Sequence, residues 1–101
     1  MNRMQNTVNA FKHRLGDDVK ILSGDPSVDR LVRMQCAHGY IDVSAGTSVV
    51  CLLESGASVE IADDGQRMCL DPTARSSGTF QACDGYQAAV DALLACAGWG
   101  V

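Results

Sequence analysis

The chain is poor in aromatic residues, with one Trp, two Tyr and two Phe among 101 residues. Ala, Val, Leu, Cys and Met supply most of its 47% apolar content, and a fully buried Val or Leu contributes only about 1.5–3 kcal/mol. So short a chain has no room for a second core, which predicts one domain over residues 1–101. A core this light is marginal alone, and a homodimer would add burial. The sequence also lacks any apolar run of the roughly 18 residues that a membrane-spanning helix needs. Its opening stretch, "MNRMQNTVNAFKHRLG", carries charge throughout and no apolar segment of the signal-peptide kind.

Basic residues are scarce beyond the first third. Residues 1–33 hold Arg3, Lys12, Arg14, Lys20, Arg30 and Arg33 against four acids, a local +2. Residues 34–101 hold Arg67 and Arg75 against eight acids, a local −6, and the two together give the net −4. Counterion displacement from nucleic acid needs several clustered cations, so direct nucleic-acid binding is not expected. An acidic surface prefers a basic partner, and charge of this kind acts mainly on association rate and specificity.

Close cysteine pairs are missing as well. Cys36, Cys51, Cys69, Cys83 and Cys96 are separated by 15, 18, 14 and 13 positions, whereas structural zinc ligands come in pairs two to four residues apart. An odd number of thiols without a secretory signal fits a reducing, cytoplasmic setting. Cys36, Cys69 and Cys83 fall at strand positions expected to face the core, and Cys96 lies among alanines, so the cysteines read as small hydrophobes. Neither a metal nor a cofactor is expected.

Against these absences, the periodicity is clear. Met4, Val8, Phe11 and Leu15 recur at helical spacing, which predicts a helix over residues 2–15 ended by Gly16. "VKIL" (19–22) reads as a strand or an extended entry, and Asp25-Pro26 as a turn. From residue 30 the period becomes two: Val32, Met34 and Cys36 alternate with Leu31, Arg33 and Gln35, then Tyr40, Asp42 and Ser44 alternate with Ile41 and Val43. Two strands joined at "AHG" follow.

"TSVVCLLE" (47–54) is apolar on both alternations, the pattern of a central strand covered on both sides or lying at an interface. "VEIA" (59–62) and "QRMCLD" (66–71) flank "DDG", a hairpin signal. "TFQAC" (79–83) is a candidate last strand, and Asp84 with Gln87 resembles a capping box for a final helix carrying Tyr86, Val90, Leu93, Leu94 and Ala97 on one face. The expected fold class is α+β: an N-terminal helix, a four- to five-stranded antiparallel meander and a C-terminal helix, with both helices on one sheet face.

Several groups invite a functional reading. In "MQCAHGY" (34–40), Cys36 and His38 stand two positions apart, a spacing that could serve a nucleophile and its base. No third orienting group or cysteine-enzyme signature accompanies them. Asp17-Asp18 and Asp63-Asp64 are explained by turn chemistry. Arg75, in the polar stretch "TARSSGT", is a candidate for binding a phosphate or a carboxylate. The acids of the strand region, among them Asp42, Glu60, Asp63 and Asp64, could form a docking surface, with His38 and Tyr40 on its rim.

The expected function is therefore a small, acidic, non-catalytic module that binds a basic protein partner. Size and charge, not any motif, also suit a phage- or plasmid-type inhibitor that occupies a partner's nucleic-acid site, as anti-CRISPR proteins do. The alternatives are a cysteine-dependent enzyme or redox protein using Cys36 and His38, and a structural subunit of a homo-oligomer.

Overall fold

A computed structural model describes residues 2–62, the backbone of 67–70, and residues 85–99. Helix α1 spans Arg3–Leu15. Its start is fixed by Asn2, whose side chain accepts from the Gln5 N–H at 2.7 Å while the Gln5 side chain accepts from the Asn2 N–H at 2.9 Å. This reciprocal capping box satisfies two donors that the first turn leaves without helical partners. Lys12, His13 and Arg14 occupy the last turn, at the negative end of the helix dipole. Gly16, at φ +80°, ends the helix in backbone that a side chain would strain. Met4, Val8 and Phe11 are buried, as their spacing predicts.

A six-stranded antiparallel meander follows, in the order β1 to β6. The strands are β1 (Lys20–Ser23), β2 (Leu31–Cys36), β3 (Gly39–Ala45), β4 (Val49–Leu53), β5 (Ser58–Ile61) and β6 (Arg67–Leu70). The helix–meander–helix plan is the expected one, and the run near "VKIL" pairs with β2 as a full strand. Helix α2 spans Gly85–Ala97 and closes the described chain with Trp99. Gly24 makes the exit from β1 possible: its φ is +89°, and a Cβ there would lie 2.2 Å from the Leu31 carbonyl oxygen.

Register decides which side of the sheet is buried. Val32 pairs with Val43, Met34 with Ile41, Val43 with Cys51 and Cys51 with Val59. Every one of these residues is buried, because period two carries them all to the same face. Helix α1 rests over β3 and β4 and against α2, while α2 covers β5. Ala89, Val90, Leu93 and Leu94 supply the buried stripe of α2. Both helices thus lie on one face of the sheet, and among the described residues the opposite face has no helix on it.

One local expectation narrows: β4 was expected to be covered on both sides or to lie at an interface. Val49, Cys51 and Leu53 are buried, but Leu52 is 44% exposed and Val50 half-buried, so among the described residues full cover comes from one side. The Gln87 side-chain amide donates to the Ala10 carbonyl at 3.1 Å, joining the two helices, and to Asp91 at 3.0 Å; its expected capping partner, Asp84, lies outside the described residues. Cys83 and the candidate strand 79–83 lie outside them too, as does the "DDG" turn between β5 and β6.

Candidate functional site

The helix-free face of the sheet is where side chains with recognition chemistry collect. The residues that alternate with the core set on β2 and β3 are Leu31, Arg33 and Gln35, then Tyr40, Asp42 and Ser44. β4 adds Val50 and Leu52, and β5 adds Ser58 and Glu60, through the pairs Ser44–Val50, Asp42–Leu52, Leu52–Ser58 and Val50–Glu60. Lys20 of β1 joins them opposite Gln35. Leu31 is 71% exposed and Tyr40 37%. Leu31, Arg33, Asp42, Ser44, Val50 and Leu52 border a shallow depression of about 350 Å³.

Arg33 and Asp42 form the centre of this surface. They sit directly opposite each other in the β2–β3 ladder. The guanidinium donates from Nε to Oδ1 at 2.7 Å and from Nη2 to Oδ2 at 3.0 Å, a two-pronged pairing that the planar fork favours. Its carbon also lies 5.0 Å from the centre of the Tyr40 ring, within cation–π range. The Arg33 hydrogen bond holds the Asp42 carboxyl below its ordinary 3.8. Glu54 fastens the end of the face, its carboxylate accepting from the Tyr40 N–H at 3.1 Å. Glu60 accepts a hydrogen bond from the Ser48 hydroxyl.

The residues expected to form a binding rim divide between two places. Tyr40 and Asp42 share the open face and are joined through Arg33. Glu60 shares that face too, with β4 between it and Asp42. His38, in the β2–β3 turn, stacks on Trp99 with ring centres 5.5 Å apart and planes 21° from parallel. Trp99 follows α2 and is buried, so His38 is tied to the helix layer. Asp63, Asp64 and Arg75 lie outside the described residues.

The thiols also divide. Cys36 and Cys51 are buried on the helix side, and burial pushes the Cys51 thiol up to about 12, the reverse of what a nucleophile needs. Cys96, expected to be a small hydrophobe among alanines, is exposed, at the flank of the stripe formed by Ala89, Val90, Leu93 and Leu94. The side chain of Cys69 lies outside the described set. Among the described residues, no group of three or more His, Cys, Asp or Glu is placed to hold a metal ion, and no helix is long and apolar enough to cross a membrane.

Two other clefts lie away from this face. One, about 790 Å³, lies between the helices and is lined by Asn6, Asn9, Lys12, His13, Tyr86 and Gln87. The other, about 430 Å³, lies beside the start of α1, where the Arg3 guanidinium donates to the Thr47 carbonyl at 3.1 Å and to that of Gly46. Arg3 thereby anchors the β3–β4 turn.

Arg33 was not among the residues singled out from the sequence, yet the signal was there. Once Cys36 and Gly39 face each other across a two-residue turn, counting back three positions on each strand sets Arg33 against Asp42. No such arithmetic leads to Trp99, whose contact with His38 depends on how α2 lies over the sheet. No protein-family model, curated protein or solved structure matches the chain.

Proposed function

We propose that the chain is a small non-catalytic module that binds another protein through the helix-free face of its sheet. The observation that carries this reading is the exposure of Leu31, Leu52 and Tyr40 around an Arg33–Asp42 pair already bonded within the chain. Exposed apolar groups gathered on one surface favour a partner that covers them. A pair whose hydrogen bonds are already made can be covered without leaving an orphan charge. Arg and Tyr, moreover, are enriched in protein interfaces.

A second reading rests on charge. The −6 balance of residues 34–101, together with Glu54 and Glu60 at the margins of the face, favours a basic partner, including one whose nucleic-acid site the chain would occupy as an inhibitor. Salt separates the two. In capture from lysate on the immobilised chain, an apolar contact persists at high salt and is lost in the Leu31→Lys/Leu52→Lys variant. A contact steered by charge is retained at low salt only. A captured set that is identical for wild type and the double variant refutes docking through this face.

A further inference from the structure

We infer that the partner covering the open face is a second copy of this chain, packed sheet on sheet as a two-fold dimer. The inference rests on the docking reading above and names its occupant.

Shape is the first reason. The open face is a broad twisted sheet of six strands, and another sheet of the same twist complements it when the two stack with strands roughly aligned, about 10 Å apart. Strands about 4.8 Å apart, averaging about five residues at roughly 3.3 Å each, make a face of about 24 by 17 Å. That is about 400 Å² of projected area per copy and about 800 Å² for two, before side-chain relief adds to it. Specific interfaces begin at about 1,000 Å² in total. Contact across nearly the whole face therefore comes close to the lower bound, and a peptide lying across one part of it would fall well short. A copy of the same face is the partner whose dimensions match throughout.

Charge is the second reason. The chain carries −4 overall, so two copies repel through most approaches. The described part of the open face is closer to balance: Lys20 and Arg33 stand against Asp42, Glu54 and Glu60. Face-to-face approach thus meets a smaller like-charge penalty than other approaches, and the central cation and anion of each copy are already bonded to each other. The free edge of the sheet is a poorer route to self-association. β1 is four residues long, begins with a lysine and has a register irregularity between Ile21 and Ser23. Each of these discourages strand-to-strand addition. A two-fold contact of one patch with itself also closes at two copies.

Light scattering coupled to size exclusion, run from low to high micromolar concentration, tests the inference. The wild-type chain is expected to move from 10.7 kDa toward twice that mass, and the Leu31→Lys/Leu52→Lys variant to stay at the monomer mass with an unchanged circular dichroism spectrum. NMR of the wild type on dilution needs no variant: concentration-dependent shifts are expected at Tyr40, Ser44 and Leu52, and not at Lys12 or His13 on α1. A wild type that stays monomeric throughout, or dilution shifts confined to the helices, overturns the inference. A monomer that still captures another protein, and loses it in the double variant, sinks the second-copy inference and leaves the docking reading standing.

Discussion

Leu52 and Leu53 are neighbours on one strand and have opposite surroundings. Leu53 is 1% exposed beneath the helices, and Leu52 is 44% exposed on the other side of the same backbone. The same contrast runs through the whole sheet. On the helix side stand Val32, Met34, Ile41, Val43, Cys51 and Val59, all buried. On the open side, Leu31, Tyr40 and Leu52 share the surface with Arg33, Asp42 and Glu60. The helix side is close to uniformly apolar and holds the fold together. The open side mixes apolar area with an Arg33–Asp42 pair whose charges satisfy each other, a composition that suits the docking proposed above. A sheet protein of this size can therefore keep one face for stability and the other for recognition, because period two separates the two roles along every strand.

The comparison can be broken or sharpened in three ways. The largest contrast is chemical. Under native conditions an alkylating reagent should modify Cys96 readily, while Cys36 and Cys51 react only on unfolding. Burial pushes the Cys51 thiol up to about 12, so its thiolate at neutral pH is far scarcer than that of an ordinary thiol, before access is considered. Mass spectrometry of the modified chain measures this, and a native Cys51 as reactive as Cys96 would contradict the helix-side packing.

Next comes stability. Leu53→Ala should lower the unfolding free energy by about 2–5 kcal/mol, the range for a buried leucine that leaves a cavity. Leu52→Ala should change it by no more than about 0.5 kcal/mol in the monomer, as exposed substitutions do. Denaturant melts at low protein concentration check the pair, and equal losses would mean that the two faces are not energetically distinct.

The smallest effect belongs to the ion pair. Because the Arg33 hydrogen bond lowers the Asp42 carboxyl below 3.8 in the folded chain, its contribution is complete above the unfolded value and is lost as pH falls through the folded one. Asp42→Asn should thus reduce stability slightly at neutral pH, and the difference from wild type should vanish in acid. The exposure of the pair and its screening by salt keep the effect small. A difference that grows as pH falls would show that Asp42 acts in some other way.

How far such features were legible before folding varies with their range. The helix stripe Met4, Val8, Phe11 and the alternation from Val32 to Val43 are local patterns, and each came out where its period put it. The Arg33–Asp42 pair was legible in principle, since the two-residue turn sets the register. "TSVVCLLE" was not, because an apolar residue on each alternation says that both faces of a strand avoid water without saying what shelters them. Among the described residues Val50 is only partly covered and Leu52 is exposed, which leaves the interface half of that expectation as the one the proposals above develop. Cys96 was misplaced for a related reason: a helix rich in alanine marks its buried stripe faintly, so a cysteine among alanines could face either way.

The sequence by itself determined the elements, their antiparallel order and which residues share a face, because periods of 3.6 and 2, a capping asparagine and glycines in left-handed backbone act over a few residues. Tertiary structure alone decided that His38 stacks on Trp99 and that Gln87 joins the helices. Those outcomes depend on where α1 and α2 come to rest on the sheet, and that is settled by contacts between residues tens of positions apart, which no local period records.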